Sequence, residues 1–180
     1  MDKEKFIVEV AQEYATDEHE PNHPSYAAFC RETVAQFRGL LNSGWRMYRS
    51  TATYSSSQRL FTDMSRKQLV VFTGGILKYD NPLGFAVSEH SGKNPEPHTV
   101  NPWNVNEMFR AVHDILGHFP NRSPFETFEG ELAAYQEHKK WYSPEALPAL
   151  YSETVGQLCV FYHTGDFVPV QENKILEVRL

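Results

Sequence analysis

The stretch that organises this chain is His113-Asp114-Ile115-Leu116-Gly117-His118, inside a helix-like segment that covers about residues 104–118. Two more helix-like segments follow, over about residues 124–139 and 144–163. The second and third segments begin with proline, which a first helical turn tolerates, and Pro120 is expected to end the first segment. All three mix histidines or acids with small and apolar residues. This pattern predicts three packed helices that direct polar side chains towards one another.

The remainder of the chain predicts more helix and a little strand. The expected helices are residues 3–15, 25–42 and 58–66. Residues 45–49 are expected to form a short strand, and the best strand, Gln68–Phe72, is rich in β-branched residues and is followed by two glycines. Residues 76–79 are expected to return as its antiparallel partner. We therefore predict one α+β domain over residues 1–180, mainly helical, with a C-terminal three-helix cluster and a small antiparallel sheet from the middle of the chain.

Composition excludes several classes of protein. The chain has 180 residues, 41% hydrophobic and 22% charged, with a net charge of -6. Acids and bases are interspersed, so no basic face for nucleic acid is expected. No apolar run approaches the length of a membrane span and the N-terminus does not resemble a signal peptide, which predicts a cytoplasmic protein. The two cysteines, Cys30 and Cys159, lie in apolar helical patterns and are expected to be buried thiols. Nothing in the composition selects an oligomeric state.

Acids and histidines fall on the apolar faces of the predicted helices. Glu153 shares a stripe with alanine, glycine and valine, and burying a carboxylate there is costly unless it is paired or binds a metal ion. In the segment before it, Glu131 and His138 lie two turns apart on one face, with Tyr135 near them. Repetition of this pattern in neighbouring helices predicts a metal site.

The two histidines of the first segment do not share a face of an ideal helix. A separation of five residues places His113 and His118 about 140° apart. They can bind one ion only if the helix distorts near Gly117 or frays before Pro120. Asp114 stands four residues before His118, so it is expected either to bind the ion or to orient a histidine. Histidine and carboxylate ligands without thiolates admit iron, manganese or zinc.

The motif resembles a known iron site. His113-Asp-Ile-Leu-Gly-His118-Phe-Pro120, with Arg122-Ser123 and then Phe125 and Phe128, is similar to the iron-binding segment of the pterin-dependent aromatic amino acid hydroxylases. The similarity covers less than a third of the chain, and no segment matches the pterin-binding part of that family. The resemblance implies a mononuclear Fe(II) centre with His113, His118 and Glu153 as ligands, which activates oxygen and hydroxylates a small-molecule substrate.

Other residues of the cluster are expected to support the chemistry. On this hypothesis Asp114, Glu131, His138 and Gln157 fix imidazole orientation or move protons, and Tyr135 shields the site or forms a hydrogen bond there. Two alternatives use the same residues. In a dinuclear carboxylate enzyme Glu131 and His138 are ligands of a second ion. In a zinc hydrolase Glu131 or Glu153 acts as the base.

A second resemblance leaves a non-enzymatic interpretation open. The wider pattern is similar to uncharacterised phage and bacterial proteins that carry Val-His-Asp-x-x-Gly-His. In this chain it comprises Val112–His118, Gly130-Glu131-x-x-Ala134-x-x-x-His138 and Glu153-Thr154-x-Gly156-Gln157. The alternative is a phage-type structural or interaction protein in which the same cluster is a buried ion and hydrogen-bond network. His90 and His98, in the proline-rich loop before the first segment, are further candidates to border a cleft.

Overall fold

The fold is mainly helical, as predicted, and the first half carries the sheet. The computed structural model describes residues 2–87 and 103–180. In this first half the helices are α1 (Lys3–Thr16), α2 (Pro24–Asn42) and α3 (Ser57–Met64), followed by a 3-10 turn, Pro82–Gly84. The strands are β1 (Arg46–Ser50), β2 (Gln68–Phe72) and the two-residue β3 (Ala86–Val87). His90 and His98 lie outside the described residues.

Two long helical segments of the second half are each interrupted by a π turn, in which backbone hydrogen bonds span five residues instead of four. The first segment, after β4 (Trp103–Asn104), consists of α4 (Val105–His113), the first π turn (Asp114–His118) and α5 (Phe119–Asn121). Next come α6 (Phe128–His138) and a 3-10 turn, Lys139–Trp141. The last segment consists of α7 (Leu147–Tyr151), the second π turn (Ser152–Gly156) and α8 (Gln157–Thr164). The first segment thus continues past Pro120 for one residue.

The predicted antiparallel partner of β2 is wrong. β2 pairs in parallel with β1, with Met47 opposite Leu69, and α3 makes the crossover between them. Residues 76–79 form no strand; Leu77 instead makes a single bridge to Gln171 of the C-terminal tail. The antiparallel pairing among the described residues is the short β3–β4 ladder. Helix α3 packs against β2, and Met47 of β1 and Leu69 and Val71 of β2 are buried in the core.

Polar contacts fix the position of α4 relative to this sheet. Asn104 caps the helix by accepting a hydrogen bond from the Glu107 N–H at 2.8 Å, and Glu107 accepts one from the Asn104 N–H at 3.1 Å. Glu107 also contacts Arg49 of β1. One turn later, Nη1 of Arg110 donates to the carbonyl oxygens of Phe72 and Gly74, both at 2.7 Å. These contacts hold the C-terminal end of β2 beside the turn that carries His113.

One buried apolar cluster joins the helices and the sheet. Helix α2 contributes Tyr26, Phe29 and Phe37 to it, all at 0% exposure. Leu176 brings the C-terminal tail onto this core, and its N–H donates to the Ser152 hydroxyl at 3.0 Å. Both cysteines are free thiols, as expected; Cys159 is buried, whereas Cys30 is only partly buried. Within residues 2–87 and 103–180, no helix combines the length and apolar character needed to span a membrane.

Truncation of Leu69 tests which face of β2 packs on the core, because this side chain is fully buried. We expect Leu69→Ala to lower the free energy of unfolding by about 3 kcal/mol, through lost burial and a residual cavity. Gln68→Ala, at the partly exposed start of the same strand, should change it by about 0.5 kcal/mol or less. Chemical denaturation measures both. Equal effects of the two substitutions would contradict the described face of β2.

Candidate metal centre

The first π turn brings His113 and His118 together. The Phe119 N–H bonds to the Asp114 carbonyl, five residues back, so this turn is wider than an α-helical one. The two imidazole centroids are 5.1 Å apart, whereas an ideal helix would point the side chains about 140° from each other. The distortion that the histidine spacing requires is therefore present, and it lies at the predicted position.

Gly117 allows a second helix to approach this turn. A Cβ added to Gly117 would lie 2.8 Å from the Ala134 carbonyl oxygen of α6 and 3.3 Å from Nδ1 of His113. Only a residue without a side chain therefore lets α6 pack directly on the π turn. The close packing brings Glu131, in the first turn of α6, next to both histidines.

Two imidazoles and one carboxylate form the candidate ligand group. Oε2 of Glu131 lies 3.4 Å from Nε2 of His118 and 3.8 Å from Nε2 of His113. Each of the three residues offers one donor atom within 4.8 Å of the other two. Donors around one ion at about 2.1 Å can be no more than about 4.2 Å apart, so small side-chain adjustments suffice. Two imidazole nitrogens and a carboxylate oxygen suit iron, manganese or zinc.

His118 is held with the correct nitrogen towards Glu131. Its side chain is 2% exposed, and its Nδ1 is 2.8 Å from the Ser123 carbonyl oxygen. Because a carbonyl only accepts, Nδ1 carries the proton. Arg122 adopts a left-handed conformation with φ 53°, which turns the chain so that Ser123 faces the ring. Nε2, the atom nearest to Glu131, can then serve as a ligand.

His113 is supported differently. Its Nδ1 is 3.0 Å from Nδ1 of His138, and Nε2 of His138 is 3.0 Å from Oε1 of Gln36 on α2. His138 is fully buried, and both of its ring nitrogens have partners within the protein. The dinuclear interpretation needs a free nitrogen on His138, so this arrangement weighs against it.

Burial and neighbouring charges shift the pKa values of the three candidate ligands in opposite directions. Burial would raise the pKa of Glu131, but the neighbouring imidazoles of His113 and His118 outweigh it and lower the pKa to about 2. Burial would lower the pKa of His118, yet Glu131 raises it to about 9. For His113 burial dominates and lowers the pKa, despite the same carboxylate. At neutral pH the metal-free group therefore contains an anionic carboxylate, a protonated His118 imidazole and a neutral His113 imidazole.

Glu153, the predicted third ligand, has other partners. Oε1 accepts a hydrogen bond from the Tyr26 hydroxyl and Oε2 accepts one from Nε2 of Gln157, both at 2.7 Å. The second π turn places it there, with 7% exposure. Burial raises its pKa to about 7. Within the described residues, Glu131 is the carboxylate at ligand distance, whereas ligation by Glu153 stays a prediction.

Asp114 and Tyr135 occupy different surroundings. Asp114 belongs to the first π turn and borders a cavity beside His118. Burial raises the pKa of Asp114 to about 7, although the charges of His118 and Arg110 act to lower it. Tyr135 is fully buried and packs edge-on against Tyr151. As far as the structure describes the chain, its hydroxyl forms no hydrogen bond and it lines neither cavity at the site.

Two cavities adjoin the candidate centre. The smaller, of about 360 Å³, is bordered by Glu153 and Gln157; the larger, of about 510 Å³, is bordered by Arg110 and Asp114. The residues common to both linings are Phe109, His113, Phe125, Glu131 and Phe167. Volumes of this size hold small organic molecules. Two candidate ligands, His113 and Glu131, thus form part of the wall between two largely apolar cavities.

Sequence reasoning identified both histidines, but it expected Glu153 and not Glu131 to be the third ligand, and it did not identify Gln36. In the mononuclear hypothesis Glu131 was expected to assist the site. Its proximity to both histidines could not be predicted, because helical spacing shows which face a residue occupies but not which neighbour that face meets. Gln36 was not singled out at all, since it is 102 residues from His138 and belongs to no motif.

Comparisons with protein-family models, with curated proteins and with solved structures found no match to this chain. The resemblances to hydroxylases and to phage proteins therefore rest on the motif residues themselves.

A methyl group at Gly117 should disrupt the site. We expect Gly117→Ala to lower the free energy of unfolding by about 1–3 kcal/mol and to weaken metal binding, because α6 must move away from the π turn. Gly39→Ala is the matched control, since its Cβ would meet no atom of the described residues within 4 Å in helix α2. That change should add about 0.5–1 kcal/mol of stability. Denaturation and metal titration of both variants check this; a Gly117→Ala protein as stable as the wild type would contradict it.

The raised pKa of Glu153 predicts a pH-dependent stability. Between pH 4.5 and 7 the unfolded carboxyl ionises while the folded one keeps its proton, so rising pH favours unfolding. This contribution to stability is complete below pH 4.5 and is lost as the pH approaches 7. In chelator-treated protein, Glu153→Gln should therefore gain up to about 3 kcal/mol relative to wild type between pH 4 and pH 8. Denaturant unfolding at both values measures the gain, and a pH-independent difference would contradict it.

Proposed function

We propose that this chain is a mononuclear non-haem iron enzyme that activates oxygen, with His113, His118 and Glu131 as its metal ligands. The carrying observation is the convergence of two Nε2 atoms and one carboxylate oxygen at the wall between two cavities. Three ligands of this type leave coordination positions for oxygen and substrate, as in the 2-His-1-carboxylate sites of iron oxygenases. The hydroxylase-like histidine motif supports iron over manganese or zinc.

The surroundings suit a small, largely apolar substrate. Phe109, Phe125 and Phe167 border both cavities, so an organic molecule next to the ligands would pack against aromatic rings. Polar groups at the edges, such as Asp114 and Glu153, would orient it. When bound, Fe(II) would supply oxygen binding and electron transfer.

The reaction requires a reductant in addition to oxygen. One oxygen atom replaces a hydrogen on the substrate as a hydroxyl group, and the other leaves as water. Two electrons and two protons balance this change, and we assign them to an organic two-electron donor that binds with the substrate. The two adjoining cavities provide separate room for these two molecules.

A zinc hydrolase is the second candidate. Two histidines and one glutamate also form a common catalytic zinc set, and the ligand group is compatible with a four-coordinate ion. Its chemistry needs a base near a metal-bound water, and Asp114 and Glu153 border the cavities at the site. The spacing of five residues between the histidines differs from the four residues of common zinc proteases, which places this candidate second.

Metal analysis of four proteins tests the ligand set. Wild type should contain about one equivalent of iron, and His118→Ala and Glu131→Gln should lose it because each removes a donor. Glu153→Gln, a matched removal of one carboxylate charge, should retain it. Retention by Glu131→Gln together with loss by Glu153→Gln would transfer the third ligand to Glu153.

The identity of the metal then selects the reaction. With iron bound, substrate-dependent oxygen consumption in the presence of a reductant should follow, and Glu131→Gln should abolish it. One equivalent of zinc would favour hydrolysis, and two equivalents of metal would favour the dinuclear enzyme. A folded protein without metal affinity would support the interaction protein with a buried polar network.

A further inference from the structure

A chain of hydrogen bonds leads from α2 to the candidate ligand His113. We propose that Gln36 is a positioning residue of the metal centre: acting through His138, it determines which nitrogen of His113 presents a lone pair to the ion. This inference depends on the proposed metal centre but not on the identity of the metal or the reaction.

The orientation of the Gln36 amide is set by a backbone carbonyl. Its Nε2 donates to the Trp141 carbonyl oxygen at 2.9 Å, in the 3-10 turn that follows α6. A carbonyl cannot donate, so the NH2 group must face Trp141 and Oε1 must face His138. The reversed amide would place two acceptors against each other. Gln36 therefore offers only an acceptor to the imidazole, at 3.0 Å from Nε2.

That acceptor selects the tautomer of His138, because Nε2 must carry a proton to donate to Gln36. His138 is fully buried and its hydrogen-bond partners, an amide and an imidazole, are uncharged. A cation there would be costly, so the ring is neutral and has one proton. Nδ1 of His138 consequently has a lone pair.

The consequence reaches His113 directly. Nδ1 of His113 lies 3.0 Å from Nδ1 of His138 and must donate to its lone pair. This leaves Nε2 of His113, the atom that faces Glu131, unprotonated. Without Gln36, the proton of His138 can move to Nδ1. His113 would then accept at Nδ1 and carry its own proton on Nε2, and a metal ion would have to displace that proton to bind.

Packing keeps the hydrogen-bond relay from Gln36 through His138 to His113 in place. The His138 ring stacks at 6.1 Å on Phe109 and meets Tyr142 edge-on at 5.0 Å. One turn before Gln36, Thr33 forms a 2.7 Å hydrogen bond with the Tyr142 hydroxyl, which joins α2 to the same segment. His118 needs no such relay, because the Ser123 carbonyl sets its tautomer.

Two substitutions of Gln36 separate its acceptor from its bulk. Gln36→Met has similar size but no acceptor, and Gln36→Glu keeps an oxygen for His138 while it loses the donor to Trp141. Titration of chelator-treated protein with Co²⁺ should show at least about ten-fold weaker binding for Gln36→Met. Gln36→Glu should stay within about three-fold of wild type. Wild-type affinity in a folded Gln36→Met protein, or equal losses in both variants, would overturn the proposal.

Nitrogen-15 NMR of the histidine rings gives a readout that needs no metal and that tests the wild type by itself. In chelator-treated wild type, His138 should be the Nε2–H tautomer and His113 the Nδ1–H tautomer, with mixed or reversed tautomers in Gln36→Met. The opposite assignment in wild type would overturn the relay even if Gln36→Met does not fold. The expected tautomers with no Co²⁺ affinity would instead refute the metal centre, so the two failures are distinguishable.

Discussion

The hydrogen bond from the Phe119 N–H to the Asp114 carbonyl closes the turn on which the site depends. A residue spacing of five sends two side chains apart on an α-helix, and the wider turn returns them to one side. The turn then needs a neighbour at very short range, which Gly117 permits because the Ala134 carbonyl occupies the space of a side chain. Glu131 reaches the histidines only through this approach. Backbone geometry, a missing side chain and a charged group are thus parts of one arrangement.

The site joins groups that are expensive to bury, and each is compensated locally. Glu131 is stabilised by two imidazoles, His118 has a backbone acceptor, and Glu153 receives hydrogen bonds from Tyr26 and Gln157. The second π turn places Glu153 as the first places His118. Both long helical segments therefore give up regular geometry where they border the cavities, which is where π turns are commonly functional.

Local sequence predicted the elements better than their partners. The strand–helix–strand order of β1, α3 and β2 was expected, but β2 was paired with its neighbour in sequence, whereas the structure uses the crossover. The π turn was one of two expected outcomes, because two histidines at a spacing of five can share one ion only if the helix distorts near Gly117 or frays before Pro120. The choice between Glu131 and Glu153 could not, since both lie on inward faces and only helix packing decides which one approaches the imidazoles. The role of Gln36 could not be predicted for the same reason, because only helix packing brings it to His138.

The order of assembly follows from where the contacts lie along the chain. His113, His118 and Glu131 come from two consecutive helical segments, so a short loop closure brings them together at little entropic cost. Their supports come from far away: Gln36 contacts His138 across 102 residues, and Tyr26 contacts Glu153 across 127. The three candidate donors therefore need only a local contact between the first π turn and α6, whereas their supports need α2 to pack against the C-terminal half of the chain. The supports of the candidate site are thus a property of the finished fold, even though the candidate donors themselves are neighbours in sequence.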